Sequence, residues 1–288
     1  MNNKNMTALM CLFLRAYHSK QGGVKVTDDE ISKKLITDDE YKKVYESLNL
    51  GAGFFEIPSE TKDCVDFIVN NYLAPSVIAR GEFAQRIIKT EKRLGTKQCV
   101  MFASGYDSLP YNNGDISFFE IDRPQMIADK LKRLTRSDVN CSNVKYISAD
   151  FEKDDTMELL KKSGINFKER TLFLFLGISF YLEKEVFFKF ISDISECCVE
   201  GSGLVFDYYQ KTVGNIREKL AFGAGEKMKS FYDYREIEHM LEENGLYIYE
   251  LLGSKEAEKD FLKKFNDASE TKMVYPNDAG CCFAVKKN

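Results

Sequence analysis

The chain has 288 residues, 44% of them hydrophobic and 30% charged, enough for one large domain or two small ones around a sizeable core. Lys and Arg number 41 and Asp and Glu 45, a net charge of −4, without the basic excess of a protein that coats nucleic acid. No apolar run approaches the ~20 residues of a membrane-spanning helix.

In chain order, the apolar stretch 8–14 is followed by Arg15, Tyr17 and His18 rather than a small-residue cleavage pattern. It reads as an amphipathic helix, and the expected location is cytoplasmic. The first 95 residues read as helices only, over about 5–19, 28–36, 38–49 and 62–93. From residue 98 onward, strand-like runs alternate with helical periodicity. Strands are expected at 98–103, 116–121, 144–148, 171–176, 203–209, 246–252 and 281–285. The run 171–176 (TLFLFL) is unbroken, as in a strand buried on both faces. A helix opening at Pro124 places Ile127, Leu131 and Leu134 inward, and one over 183–198 places Phe187, Phe190, Ile191 and Ile194 inward. Further helices are expected at 154–163, stopped by Gly164, at 233–243, capped by Asn244-Gly245, and at 256–265. The glycine-rich segment 221–225 reads as a mobile loop.

This alternation implies an α/β fold, a doubly wound, mainly parallel seven-stranded sheet with helices on both faces. Residues 1–95 would form a helical cap or lid over the C-terminal strand ends, where ligands bind in such folds, and residues 96–288 the α/β domain. Eight cysteines include no C-x-x-C pair and two adjacent pairs, which suits neither a zinc knuckle nor a disulfide framework, so free thiols are expected. With only His18 and His239, no metal site is expected.

The most informative stretch is Cys99-Val-Met-Phe-Ala-Ser-Gly-Tyr-Asp-Ser followed by Ile116-Ser-Phe-Phe-Glu-Ile-Asp122. A strand, a small-residue turn at Ala103, Ser104 and Gly105, and a second strand tipped with acid make a nucleoside-binding arrangement. Glu120 lies 15 residues after Gly105 and Asp122 lies 17, so either could take the ribose hydroxyls. The ordinary alternative is a strand–turn–strand with no ligand.

Six segments in order resemble one family. Ala74-Pro75 with Ala79-Arg80-Gly81-Glu82-Phe83-Ala84 resembles an Arg-bearing helix before the first strand. Ala103-Ser-Gly-Tyr-Asp107-Ser resembles G-A-G-x-D-[ST], and Phe119-Glu-Ile-Asp122-Arg-Pro124 resembles F-E-[VI]-D-x-P. Ala149-Asp150-Phe151 resembles [VA]-D-[FL], and Gly177-Ile-Ser-Phe-Tyr181-Leu182 resembles E-G-x-x-x-Y-L without its Glu. Gly201-Ser-Gly-Leu-Val-Phe-Asp207-Tyr208 resembles G-S-x-[LI]-V-F-D-Y. The family is that of the leucine carboxyl methyltransferases, with bacterial polyketide-type O-methyltransferases among its members. The resemblance spans about residues 7–250 and implies a class I methyltransferase fold with S-adenosyl-L-methionine as cofactor.

Carried over by residue, the resemblance implies that Arg80 meets the methionine carboxylate and that residues 103–105 pass beneath the methionyl part. Asp122 would hold the ribose, and Asp150 with Phe151 the adenine. Arg15 falls near a position where the family often has a basic residue. The chain departs from the pattern at Ala103, Leu109, Asn112 and Leu176. Ala103 fits if its φ is negative and is strained in the left-handed region. Leu176 removes a carboxylate near the sulfonium end, yet it still belongs to the cofactor site.

Each of these residues also has an ordinary reading. Arg80 could be a surface ion pair, Asp122 a helix-start acid before Pro124, and Asp150 the cap of the next segment. Tyr181 and Tyr209 follow the fourth and fifth strands and could face the acceptor, and His18 could reach the pocket from the cap. A carboxylate nucleophile needs no base, whereas a hydroxyl does. The expected activity is O-methyl transfer to a carboxylate or hydroxyl of a small molecule or a peptide C-terminus. The alternative is a non-catalytic binding protein that keeps the fold. A nicotinamide-dependent oxidoreductase is disfavoured because the turn lacks G-x-G-x-x-G.

Overall fold

The computed structural model of the protein describes residues 5–151, 153–212, 216–223 and 225–287. Strands β1 (Gln98–Phe102), β2 (Ser117–Asp122), β3 (Val144–Ser148), β4 (Thr171–Phe175), β5 (Gly203–Tyr209), β6 (Leu246–Leu252) and β7 (Ala279–Lys286) form one sheet ordered β3-β2-β1-β4-β5-β7-β6. The pairs among β1 to β5 are parallel, and β7 runs antiparallel to both β5 and β6. The expected mainly parallel sheet is present, with each strand within two residues of its expected ends.

Alternate side chains divide the core between the two faces. Cys99, Met101, Leu172, Leu174 and Val205 face a cluster built with helices α1 (Met6–Lys20) and α5 (Ala74–Arg93). Val100, Phe102, Phe173, Phe175, Leu204 and Phe206 face the opposite cluster. That cluster is covered by α7 (Thr156–Lys162), α8 (Lys184–Cys197) and α10 (Tyr234–Glu243). In α8, Phe187, Phe190, Ile191 and Ile194 are buried, as the periodicity predicts. Among the first 95 residues, α5 packs into the sheet's own core, whereas α1 also crosses the C-terminal strand ends.

Four expectations are corrected. The helix expected over 62–93 is α4 (Cys64–Ile68), a widened π turn (Val69–Leu73) and then α5, whose first turn contains Pro75. A proline ring supplies no N–H to the ladder, so the preceding turn opens. Within α6 (Pro124–Arg136), Leu131 is outward, and the inward stripe contains Met126, Ile127, Lys130, Arg133 and Leu134. Two of those five are charged, which hydrophobic periodicity does not register. The helix expected at 256–265 is α11 (Ser254–Ala257), a wide turn (Glu258–Leu262) and α12 (Lys263–Ala268). In the expected loop 221–225, Ala221 to Gly223 instead end α9 (Ile216–Gly223), while Ala224 lies outside the described residues. The N-terminal side also carries α2 (Glu30–Leu35) and α3 (Asp38–Leu50), the latter opened by a Thr37–Glu40 capping box.

Candidate functional site

A cleft of about 500 Å³ opens at the C-terminal ends of β1 to β4, within the size range of small-molecule sites. Its floor is the turn after β1. Ala103 has φ +51° and Gly105 φ +49°, so the strained alternative is the one realised at Ala103. A side chain on Gly105 would also meet Ala8 of α1 at 3.4 Å, so α1 closes directly over the turn. Asp122 sits at the end of β2. Its Oδ2 accepts from Gly105 N–H at 2.8 Å and its Oδ1 from Arg123 N–H at 2.7 Å. Burial raises its pKa above the usual carboxylate value, against those two donors. Ser104 donates its hydroxyl to Glu120 at 3.2 Å and lines the cleft.

Glu120 itself does not line the cleft. It is fully buried, its Oε1 2.7 Å from Nζ of the equally buried Lys130, so its place as the alternative ribose acid is corrected. It lies one pleat repeat, ~6.6 Å, below the strand end. Burial pushes its pKa up while Lys130 opposes the shift. Such a pair is structural, and removing one partner of a buried pair costs about 3–5 kcal/mol.

Asp150 and Phe151 line the cleft beyond β3. Asp150 accepts from Lys153 Nζ at 2.8 Å, and the Phe151 ring meets Phe190 edge-on with centroids 5.7 Å apart. Leu176 lines the cleft where β4 ends, followed by Gly177 and the short turn Ser179–Tyr181. Arg80 reaches the same corner from α5. Its Nη1 lies 2.8 Å from Asp207 Oδ2, and its Nη2 lies 3.6 Å from the Cys11 thiol, its one hydrogen-bond partner among the described residues. Burial works against the guanidinium charge, but Asp207 raises its pKa above the usual arginine value.

The three catalytic candidates separate. Tyr181 lines the cleft, and burial raises its phenol pKa above the usual value. Tyr209 is buried against Phe180, ring centroids 4.8 Å apart, and does not line the cleft. His18 is also corrected. Its Nε2 accepts from Val26 N–H at 2.9 Å, its ring lies 5.3 Å from that of Phe265, and it is fully buried. Burial lowers its pKa to about 4. The cleft-facing stripe of α1 is Thr7, Ala8, Cys11 and Arg15; ten residues along the helix from Ala8, ~15 Å, His18 has left the cleft.

Thr7, Ala8, Cys11, Glu226, Lys227 and Lys229 line the cleft without belonging to any of the sequence motifs, and Arg15 and Asp107 join them. Thr7, Ala8 and Cys11 recur with Arg15 at helical spacing, a signal that small side chains conceal. Arg15 ties α1 to the turn, donating to Tyr106 O at 2.7 Å and pairing with Asp29 at 3.2 Å. Asp107 lines the cleft, and its Oδ1 caps Leu109 N–H at 2.9 Å. Glu226, Lys227 and Lys229 reach the rim from the segment after α9, which carries no motif. Among the described residues, no group of three or more His, Cys, Asp or Glu is placed to hold a metal ion. None of the described helices is long and apolar enough to cross a membrane.

Comparison with known proteins gives a consistent picture. The family model described as leucine carboxyl methyltransferase matches residues 8–195. The Bacillus subtilis (strain 168) protein YktD, whose name assigns it provisionally to the S-adenosyl-L-methionine-dependent methyltransferases, is 28% identical over 288 residues, covering 92% of this chain and 94% of its own. A crystal structure from Thermobifida fusca YX, titled as a provisional methyltransferase, aligns with TM-score 0.57 at 15% identity, covering 96% of this chain and 94% of that one. One of a DUF574 family protein from Streptomyces avermitilis MA-4680 aligns with TM-score 0.55 at 10% identity, covering 96% and 97%. At those identities the structures speak to fold alone, and the fold is class I methyltransferase-like.

Proposed function

The chain belongs to the leucine carboxyl methyltransferase family, and on that premise we propose that it is an S-adenosyl-L-methionine-dependent O-methyltransferase whose acceptor is a carboxylate. The observation that carries the cofactor assignment is the pairing of the Ala103–Gly105 turn with Asp122 in the same cleft as Arg80.

The residues present fit that cofactor. Each Asp122 oxygen accepts one backbone N–H and keeps a second lone-pair site for a ribose hydroxyl. Arg80 is anchored through Nη1, and among the described residues Nη2 has a thiol as its one hydrogen-bond partner, so it can donate to a carboxylate. Residues 103–105 present backbone where a bulky side chain would block the ligand. Asp150 can accept from the adenine amino group, and Phe151 offers an apolar surface beside it. Helix α1, within the helical segment 1–95, covers the methionyl end and restricts water.

Bound, the cofactor supplies a methyl group on a cationic sulfur, transferred in line to a nucleophile. The protein's part is then to align the two in a dry pocket. Tyr181 stays protonated at neutral pH and can donate to an acceptor oxygen but not remove its proton. With His18 and Tyr209 out of reach, the lining groups left to take a proton from a hydroxyl acceptor are carboxylates such as Asp107 and Glu226. A carboxylate acceptor, on a small molecule or a peptide C-terminus, needs no base.

Turnover with the cofactor across a matched panel of carboxylic acids, phenols and alcohols tests this, with products read by mass spectrometry. Methyl esters are expected. Methyl ethers alone would overturn the carboxylate assignment. Tight cofactor binding without any product would favour a binding protein that keeps the fold, for which Ala103 and Leu176 are the motivating departures.

A further inference from the structure

The cleft has a neighbour on the far side of Arg15, Arg80, Asp107 and Leu176. These four line both it and a second chamber of about 320 Å³. That chamber in turn shares Val26, Glu82, Gln85 and Lys89 with an open groove of about 700 Å³. The groove follows one face of α5, where Glu82, Gln85, Arg86, Lys89 and Arg93 recur at helical spacing. From Glu82 to Arg93 the helix rises ~16 Å, about five residues of extended chain. The opposite wall is the wide turn before α12 and α12 itself.

Seven Lys and Arg side chains line this groove against three acids, on a chain whose net charge is −4. Some of the charge is answered: Arg86 by Glu250 and Asp260, Lys263 by Asp267, and Lys25 by Asp28. Lys89, Arg93, Lys259 and Lys264 have no carboxylate within ion-pair distance among the described residues. A merely solvated face intersperses both signs. Here a positive excess is gathered in one groove, which attracts anions. Its inner end at Glu82, Gln85 and Lys89 opens on the chamber beside the cofactor cleft, where Asp28, Asp29, Glu82 and Asp107 stand against Arg15, Arg80 and Lys89.

We propose that this groove docks the anionic body of the methyl acceptor, an extended polycarboxylate whose reacting end lies toward the cofactor cleft. The proposal rests on the methyltransferase reading above. A polycarboxylate is favoured over a nucleic acid because single strands bind with bases stacked on aromatic faces. Among the described residues the one aromatic ring lining the groove, Phe261, already carries the Arg86 guanidinium 5.2 Å from its centroid.

The test measures fluorescein-labelled hexaglutamate by anisotropy, and S-adenosylhomocysteine by calorimetry, on the full chain. Both are repeated on the triple variant Lys89→Glu, Arg93→Glu, Lys264→Glu, whose substituted side chains are all exposed. Hexaglutamate should bind the unaltered chain, weaken steeply with salt, and bind the variant at least about tenfold more weakly. S-adenosylhomocysteine affinity should be the same in both, which also shows that the variant folds. Absence of hexaglutamate binding, or equal binding by both proteins, overturns the groove assignment while leaving the cofactor reading intact. Tighter binding of oligothymidylate than of hexaglutamate overturns it in favour of nucleic acid. Failure of S-adenosylhomocysteine to bind the unaltered chain overturns the methyltransferase reading on which the acceptor identity depends.

Discussion

One carboxylate, that of Asp207 in β5, fixes the side chain of Arg80 from α5. Its Oδ2 lies 2.8 Å from Arg80 Nη1, and its Oδ1 accepts from Gly177 N–H at 2.6 Å. Gly177 has φ +77°, and a side chain there would come within 2.8 Å of Arg80 Nη2. A single acid thus sets both the guanidinium and the turn after β4, in the corner where the sequence has Leu176 in place of an expected acid.

Asp207→Asn should therefore destabilise the fold by about 3–5 kcal/mol, because it leaves a buried guanidinium without its counter-charge. Urea unfolding measures this. The double variant Arg80→Met, Asp207→Leu should recover much of that stability yet still bind S-adenosylhomocysteine poorly. Full binding by the double variant would reduce Arg80 to a structural role.

Ala103 holds a left-handed conformation that costs a non-glycine residue about 1–2 kcal/mol. Ala103→Gly relieves this, less about 0.4–1 kcal/mol for the freer unfolded chain. A net gain between zero and about 1.6 kcal/mol is expected in thermal or urea unfolding. A loss would mean that the Ala103 methyl contributes packing worth more than the strain.

Leu176 lines both the cleft and the second chamber, so its side chain stands at the border expected for it. Leu176→Glu should favour the cationic S-adenosylmethionine over neutral S-adenosylhomocysteine by about two- to fivefold, the worth of a partly exposed charge pair. Equal loss of both ligands would show that this corner has been rebuilt as apolar.

His18 is neutral in the fold, its pKa lowered to about 4 by burial from the ordinary 6.5. Between those values the unfolded chain binds the proton and the folded chain does not. His18 therefore contributes stability that is fully present above pH 6.5 and is lost as pH falls toward 4, up to about 3 kcal/mol. Urea midpoints at pH 7.5 and 5 should fall less in His18→Gln, whose amide oxygen can still accept from Val26 N–H. An equal fall in both proteins would assign the acid sensitivity to other groups.

The strands were legible because β1, β4 and β5 are apolar on both faces and the turns between elements carry Gly, Pro or Asn. The turn at 103–105, Asp122, Asp150 and Arg80 were legible as motif positions, and all reach one cleft. What the spacing could not resolve was depth. Glu120 and Asp122 share one face of β2, but only the strand end is open to the cleft, and Lys130 of α6 encloses the inner acid. The pattern of α1 marks a cap but not where along its length the helix leaves the cleft, and His18 lies beyond that point, buried. The basic groove joins α5 to the segment around α12, about 170 residues later, a proximity that only the packing of both elements creates.

On the proposed function, the cleft over β1 to β4 binds S-adenosyl-L-methionine through Asp122. Isothermal titration calorimetry of the unaltered chain and of Asp122→Ala tests it, with near-ultraviolet circular dichroism confirming that the variant is folded. One ligand per chain is predicted, weakened by roughly 1.5–3 kcal/mol, or about 10- to 150-fold, in the variant. No heat of binding to the unaltered chain, or equal affinity in a folded Asp122→Ala protein, would contradict it.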